Sequence, residues 1–307
     1  MPSSSHQIPL PPTPTSLLPA ATTTESESQH KCKKLKLHSS YSITSPFPNF
    51  LYPTPDEALQ VFQILSAEHQ EPNTFTLRPS LATATACGEV SNVLEAVIST
   101  ILSQNTSSKN SLAAKANLDA RFGRNNFAAI AEAPHADVVD AIRSGGLANK
   151  KAATIQKMLR SIKDKHGDYS LQHLTGGKST AEEEQKDDGE GKKEMTNDEI
   201  MQELIAYDGV GPKTASCVLL FCLGRDSFAV DTHVFRLSRL LGWVPDKADR
   251  VLAQAHLDLR VPNELKYGLH NLMIKHGRAC KGCKNPGSSS GDCILKTYLR
   301  TKNKTAK

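Results

Sequence analysis

A lysine and an aspartate are the residues of this chain whose placement most directly suggests chemistry. Lys213 follows the turn Gly209-Val210-Gly211-Pro212, and Asp231 lies eighteen positions after the lysine. The glycines allow a sharp reversal that exposes backbone N–H groups, and Pro212 suits the first position of a following helix. Free N–H groups and the positive end of that helix form a seat for a phosphate. We therefore predict a helix–hairpin–helix unit with a phosphate-binding tip.

Lys213 is predicted to lie in the first turn of the second helix, where a cation is electrostatically disfavoured. The helix field and partial burial are expected to lower the pKa of its amine, and a neutral amine can attack an electrophilic carbon to form a Schiff base. On composition alone, a charged lysine that contacts a DNA phosphate is the more ordinary interpretation. Asp231 suits the N-cap of the next helix, and a cap uses only one of its two carboxylate oxygens.

Four segments, in order along the chain, resemble the helix–hairpin–helix base-excision DNA glycosylases, and within them the endonuclease III-like branch. The hairpin with Lys213 and Asp231 is one of the four. The others are a buried helix ending in a DNA-inserting loop at 97–106, a second DNA-facing turn at 144–152, and the helix before an iron–sulfur loop at 269–280. A single Gly-x-Gly hairpin is a weak signal, whereas this ordered set is specific. The resemblance covers about residues 55 to 300.

The resemblance implies a DNA N-glycosylase with AP-lyase activity that acts in base-excision repair on double-stranded DNA containing a damaged or modified base. Such enzymes take the target nucleotide out of the base stack. Lys213 would attack the sugar C1′ and form a Schiff base, and Asp231 would stabilise positive charge on the sugar and assist proton transfer. Oxidised pyrimidine is the default substrate. Two alternatives stay open: a monofunctional glycosylase that uses Asp231 and water, and a catalytically inactive DNA-binding protein.

The resemblance also implies which residues contact DNA. The hairpin residues expected to grip a phosphate are Gly209, Val210, Gly211 and Thr214. Gln104 or Asn105 from one loop and Leu147 from the other would fill the gap left by the flipped nucleotide, and His233 would contact the backbone. The ordinary alternatives are a polar helix end for Gln104 and Asn105, an apolar turn residue for Leu147, and a structural histidine for His233.

The C-terminal cysteines depart from the family pattern. Many members hold a [4Fe–4S] cluster with the spacing C-x6-C-x2-C-x5-C, whereas this chain has Cys280-x2-Cys283-x9-Cys293 and no later cysteine. A cluster needs four thiolates or a substitute ligand such as histidine. His276 belongs to the preceding helix and is not expected to serve. We therefore expect a degenerate remnant without a cofactor; a zinc site of three cysteines and a histidine is the alternative.

Composition is compatible with a nucleic-acid partner without requiring one. The 307 residues carry a net charge of +5, and the isoelectric point is near 8.7. The seven cysteines show no disulfide framework, no apolar run is long enough to cross a membrane, and the first residues lack a secretory h-region. We expect an intracellular monomer.

Localisation signals are limited to one short basic cluster at 31–36, which is either a nuclear-import signal or an ordinary solvated segment. No arginine precedes Arg78, and Glu25 and Glu27 are acidic, which argues against a mitochondrial transit peptide. The nucleus is therefore the expected location.

Helical periodicity and a weak strand signal predict an all-α protein. The predicted helices include 55–67, 91–103 capped by Ser91, 108–122 closed by Gly123, 149–166, and 232–241. Residues 1–52 are rich in Ser, Thr and Pro and are predicted to be a disordered tail, and 175–195 to be a disordered insertion. The two-lobed arrangement that the resemblance adds comprises a six-helix barrel at 89–225, a second domain from 53–88 and 226–300, and a basic tail at 301–307.

Overall fold

The computed structural model describes residues 43–71, 90–176, 194–284 and 293–305, together with 36, 40 and 41. Every regular element in these residues is helical, which confirms the predicted all-α class. The α-helices are α1 Pro55–His69, α2 Val93–Ser103, α3 Ser108–Phe122, α4 Phe127–Glu132, α5 His135–Ala141, α6 Ala148–His166, α7 Asn197–Ile205, α8 Pro212–Cys217, α9 Thr232–Leu240, α10 Arg250–Arg260, α11 Asn263–Ala279, α12 Lys281–Lys284 and α13 Ile294–Thr305. A π-helical turn, Val218–Cys222, extends α8, and no described helix is long and apolar enough to span a bilayer.

The ends of the helices follow local chemistry. Asn92, and not the predicted Ser91, caps α2 and accepts a hydrogen bond from the backbone N–H of Glu95. Asparagine is as good a cap as serine, so the sequence alone does not separate the two neighbours. Gly123 and Gly167 close α3 and α6 with positive φ of 87° and 77°, which confirms the predicted ends of both helices.

Buried apolar side chains form two clusters. The first extends from Val93 to Leu219 and surrounds α2, whose first ten residues are all buried. The second combines Phe47 and α1 with residues between Phe228 and Leu295. The chain passes from the first cluster to the second between α8 and α9, so this connection determines how the hairpin meets the second half.

Part of the predicted disordered tail packs against the second cluster. Phe47 is only 9% exposed, and its ring makes an edge contact with His256 at 5.7 Å between centroids. Ser45 Oγ lies 2.6 Å from His256 Nδ1 and helps to hold this segment. The high Ser, Thr and Pro content of residues 1–52 predicts disorder for the whole tail, and a single buried phenylalanine does not change that prediction.

Several predicted features lie wholly or largely outside the described residues. These are the tail before residue 43 apart from 36, 40 and 41, the basic cluster apart from Lys36, and residues 177–193 of the insertion. The predicted basic tail begins within α13, which continues to Thr305.

Helix α11 crosses α1 at Gly268. A Cβ atom at position 268 would lie 2.6 Å from Cε2 of Phe62, and Phe62 is fully buried. The ring therefore has no free space into which it can withdraw, and the helices approach this closely only because residue 268 lacks a side chain.

We expect Gly268→Ala to lower the free energy of unfolding by about 1–3 kcal/mol, because the added methyl overpacks the contact with Phe62. Chemical denaturation followed by circular dichroism measures the change. Gly211→Ala is the control, since a Cβ there meets no atom within 4 Å and its φ is −104°. Equal losses in the two variants would contradict this packing argument.

Candidate active site

The hairpin turn rests directly on α6. Gly209 has φ of 77°, and a Cβ there would lie 2.0 Å from Cγ2 of Thr154. Both the positive φ and the close approach require glycine at this position. Gly211 is the N-cap of α8 and provides no side-chain cap, while Pro212 occupies the first turn as predicted. The first N–H groups of α8 thus have no capping side chain as acceptor.

Gln104 connects the loop after α2 to the hairpin. Its Nε2 donates to Thr214 Oγ1 at 3.2 Å and to the carbonyl oxygen of Gly209 at 3.4 Å. Thr214 is buried, and its hydroxyl oxygen accepts the hydrogen bond from Gln104. The neighbouring Asn105 is exposed and has a positive φ of 52°. The structure therefore brings the first predicted DNA-inserting loop against the phosphate-binding turn.

Lys213 and Asp231 share one electrostatic neighbourhood. Cys217 lies one turn further along α8 than Lys213, and the charges of Lys213 and Asp231 both act on its buried thiol. Burial raises the pKa of the Cys217 thiol above its usual range, which keeps the thiol protonated. Both charged groups also act on the imidazole of His270. The structure thus places the two predicted catalytic residues around the same pair of buried groups.

His270 is a neighbour of this pair that the sequence interpretation missed. Burial lowers its pKa to about 4, so the imidazole is neutral at pH 7. Its Nδ1 donates to the carbonyl oxygen of Ala229 at 2.8 Å, which fixes the ring. A buried histidine on an apolar helix face gives no sequence signal that would separate this position from an ordinary core histidine.

Asp231 is the N-cap of α9, as predicted. Its Oδ1 accepts from the backbone N–H groups of His233 and Val234, both at 2.8 Å. Both capping bonds use the same oxygen, so capping leaves Oδ2 for other contacts. The cap thus fixes the orientation of the carboxylate without using all of it.

The connection that leads to Asp231 has no regular secondary structure, and Asp231 itself is extended, with φ of −86° and ψ of −173°. Side chains from α10 and α11 satisfy its polar groups instead: Phe228 N donates to Asp258 Oδ1 at 2.5 Å, and Val230 N donates to Gln254 Oε1 at 3.1 Å. These bonds hold Asp231 at the junction of the two hydrophobic clusters.

The second predicted DNA-facing turn ends in a strained leucine. Leu147 has φ of 51° and is 56% exposed, an uncommon conformation for a residue with a branched side chain. The buried amine of Lys151 lies behind it and donates to the carbonyl oxygens of Leu102 at 2.7 Å and Gly145 at 2.9 Å. Lys151 therefore joins the end of α2 to the turn that carries Leu147.

Sequence reasoning missed Lys151, although one signal was present. It lies four positions before Ile155, on the apolar face of α6, where an exposed lysine is not expected. Burial lowers the pKa of its amine, and the two carbonyl acceptors compensate part of the lost hydration.

His233 packs against α11. A Cβ at Gly277 would lie 3.0 Å from His233 Nδ1, so the ring fills the space that the glycine leaves. Burial lowers the pKa of His233. This contact supports the structural interpretation of His233, and its contact with a DNA backbone stays a prediction.

The C-terminal cysteines have a fourth neighbour. His276, Cys280, Cys283 and Cys293 each offer one ligand atom, and these atoms all lie within 4.8 Å of one another. His276 lies in the last turn of α11, as expected, but its Nε2 is 3.4 Å from Cys283 Sγ, so the expectation that it does not serve as a ligand is not confirmed. The group could hold a metal ion, and the predicted absence of a cofactor is therefore not confirmed.

Comparisons with known proteins identify the family of the chain. The model of the HhH-GPD superfamily of base excision DNA repair proteins matches residues 98–262. This chain belongs to that superfamily. It is 35% identical to a putative DNA glycosylase of Arabidopsis thaliana over 78% of this chain and 81% of the relative. It is 29% identical to endonuclease III of Sulfolobus acidocaldarius over 70% of this chain and 84% of the relative.

A solved structure of a non-covalent endonuclease III–DNA complex shares the fold. The TM-score is 0.55 at 22% identity, covering 80% of this chain and 99% of that chain. The predicted two-lobed all-α glycosylase fold and the endonuclease III-like branch are confirmed. The chain is a DNA glycosylase of the endonuclease III family that acts in base-excision repair and binds DNA.

We expect Gly211→Ala to weaken binding to duplex DNA about tenfold. The added methyl group would occupy the open space beside the start of α8, where a DNA phosphate is predicted to bind, and would prevent one hydrogen bond from a backbone N–H to that phosphate. Fluorescence anisotropy at fixed salt measures the affinity, and thermal unfolding should remain unchanged. Gly209→Ala is the comparison, since its clash with Thr154 should lower both affinity and stability. Unchanged affinity in Gly211→Ala would contradict a phosphate seat at this turn.

Proposed function

We propose that the chain is a bifunctional DNA glycosylase and AP lyase, with Lys213 as the nucleophile and Asp231 as the assisting carboxylate. It acts as a monomer on double-stranded DNA that contains a damaged base, with oxidised pyrimidines as the first substrate class to test. The observation that carries the proposal is the arrangement of Lys213 and Asp231 around Cys217 and His270, beside the hairpin.

The first step displaces the base. The amine of Lys213 attacks C1′ of the sugar, and the glycosidic C–N bond breaks, so that the base leaves with the electron pair and takes up a proton. Loss of a proton from the attacking nitrogen and opening of the sugar ring give a C1′ Schiff base. Removal of a proton from C2′ then breaks the C3′–O bond by β-elimination, and hydrolysis of the Schiff base returns the free amine.

The surroundings of Lys213 favour this role because both partners near it are uncharged. The Cys217 thiol stays protonated and His270 stays neutral, so neither adds a charge that competes with Asp231. The carboxylate can then stabilise positive charge as it develops on the sugar. Its orientation does not depend on DNA, because the two backbone N–H groups of α9 hold Oδ1.

The two loops support extrusion of the target nucleotide. Leu147 places an exposed apolar side chain at the start of α6, and Asn105 is exposed in the loop that Gln104 joins to the hairpin. An apolar side chain and a polar one can occupy the space left by an extruded nucleotide and its partner.

A relative supports the lyase step. The chain is 30% identical over 132 residues to a DNA glycosylase/AP lyase of Arabidopsis thaliana, a match covering 43% of this chain and 8% of that protein. The match concerns a small part of the relative, so the trapping experiment below decides whether this chain performs the second reaction.

We expect borohydride to trap a covalent complex between the wild-type protein and a duplex with an abasic site or an oxidised pyrimidine, because it reduces a Schiff base to a stable amine. Lys213→Gln should lose the adduct by at least about a hundredfold, since no other group supplies the nucleophile. Lys163→Gln, at an exposed lysine outside the hairpin, should retain it. Base release without an adduct in the wild type would instead establish the monofunctional alternative, and neither product would establish a binding protein.

Asp231→Asn separates the catalytic charge from the cap. Asparagine caps helices as well as aspartate does, so the free energy of unfolding should change by less than about 1 kcal/mol. Single-turnover base release should slow by about 10²–10³-fold, because the negative charge beside the sugar is gone. Release at the wild-type rate would exclude Asp231 from the reaction.

We expect Leu147→Ala to slow base release from duplex DNA about tenfold and from single-stranded DNA much less, because only the duplex requires a side chain to fill the gap. Leu147→Met keeps the apolar volume and should retain most of the duplex activity. The ratio of duplex to single-strand rates is the measurement. An equal loss of rate on duplex and single-stranded DNA would show that Leu147 supports the folded structure and does not fill the gap in the duplex.

A further inference from the structure

The ligand atoms near the C-terminus lie close enough together for one metal ion to contact all four. His276 Nε2 lies 3.4 Å from Cys283 Sγ and 3.7 Å from Cys293 Sγ, and the two sulfur atoms are 3.1 Å apart. With Cys280 included, all four ligand atoms lie within 4.8 Å of one another. A tetrahedral zinc ion, with bonds of about 2.3 Å to sulfur and about 2.0 Å to nitrogen, separates its ligand atoms by roughly 3.5–3.8 Å.

This group does not fit a four-iron cluster. In a [4Fe–4S] cluster each thiolate binds a different iron, so the four ligand atoms surround eight cluster atoms and lie farther apart than ligands of one ion. Four ligand atoms that all lie within 4.8 Å of one another leave no volume for such a group. The donor set of three cysteines and one histidine is one of those found in closed structural zinc sites.

His276 is oriented toward the sulfur atoms by a second histidine. Its Nδ1 lies 3.1 Å from Nε2 of His69, at the end of α1, while its Nε2 faces Cys283 and Cys293. A histidine that binds a metal commonly donates its other ring N–H to a neighbour, and this bond fixes both the tautomer and the ring orientation. With a metal on Nε2, Nδ1–H of His276 would donate to Nε2 of His69, which lies within hydrogen-bond distance.

The site is placed to stabilise the fold of the second cluster. Its ligands come from the end of α11, from the region of α12, and from Cys293, directly before α13. His276, Cys283 and Cys293 are buried, and Leu295 packs into the second cluster. An ion here would fasten the start of α13 to α11 and, through His69, to α1.

We propose that His276, Cys280, Cys283 and Cys293 bind a single zinc ion, with His69 as a positioning residue for His276. Soft thiolate ligands with one imidazole in a closed tetrahedral arrangement select zinc over hard cations. The site is structural: all four positions are filled by protein ligands, so none is left for water or substrate. The proposal concerns a part of the chain separate from Lys213 and Asp231.

Metal analysis of the full-length protein tests the proposal directly. Protein produced in medium that contains both zinc and iron should carry one zinc ion per chain, little iron, and no visible iron–sulfur absorbance. X-ray absorption at the zinc edge should give three sulfur ligands at about 2.3 Å and one nitrogen at about 2.0 Å. Four iron atoms per chain, a metal-free chain, or a disulfide between Cys283 and Cys293 would each overturn the proposal.

Variants test the individual ligands. Cys283→Ser and His276→Ala should lose zinc and unfold at a lower temperature. Cys222→Ser is the matched control, because Cys222 lies outside the site and a serine can keep its hydrogen bond to the Val90 carbonyl oxygen, so zinc should be retained. Zinc retained at full affinity in His276→Ala would exclude the histidine ligand. If a ligand variant does not fold, X-ray absorption of the wild-type protein still identifies the zinc ligands.

The positioning role of His69 has its own readout. In a competition with a chromogenic chelator, His69→Ala should bind zinc 10–100-fold more weakly while one ion per chain still binds at saturation. His69→Gln should restore much of the affinity, because its amide oxygen can accept the hydrogen bond from His276. Affinity unchanged in His69→Ala would contradict this role. Lys213→Gln should keep its zinc whatever the trapping experiment shows, so the two proposals fail independently.

Discussion

The irregular connection between α8 and α9 determines how the two halves of the molecule are joined. It has no neighbouring strand, yet buried backbone groups require hydrogen-bond partners. Gln254 and Asp258 of α10 accept from its N–H groups, and His270 of α11 donates to the carbonyl oxygen of Ala229. Three polar side chains thus replace a strand. They hold the end of α8, which packs in the first cluster, close to the start of α9, which packs in the second. Lys213 belongs to α8, and Asp231 caps α9.

This junction also determines the electrostatics of the site. Lys213 and Asp231 lie at the N-terminal ends of α8 and α9, and the positive end of each helix favours an anion, which suits both the Asp231 carboxylate and a DNA phosphate. The buried groups between the helices contribute no charge, because the Cys217 thiol is protonated and His270 is neutral. A helix N-terminus disfavours a cation and suits an anion, so Lys213 is the unusual residue of the pair and Asp231 the ordinary one.

Local chemistry made many helices predictable, whereas long-range contacts escaped the sequence interpretation. Gly123 and Gly167 ended their helices as expected, because a C′ glycine acts on its own turn. The packing of Phe47 depends on a histidine more than two hundred positions away, and the same is true of the pairing of His69 with His276. Hydrophobic periodicity reports only on residues close together in the sequence, so it does not predict such long-range contacts. The roles expected for Lys213 and Asp231 came from the ordered family motifs rather than from spacing alone.

Leu147 shows how the fold supports strain at the DNA-facing surface. A non-glycine residue in the left-handed region costs of order 1–3 kcal/mol and persists only where its surroundings hold it. Lys151 supplies that support through two hydrogen bonds from a charged donor, each worth about 1.5–3 kcal/mol before the cost of desolvation. Since burial lowers the pKa of Lys151, part of this gain is lost, and the remainder is comparable to the strain. The same amine binds the end of α2, so the support for the Leu147 turn also fixes the start of the Gln104 loop. The Lys151 amine therefore links the two loops that the family resemblance predicts to contact DNA.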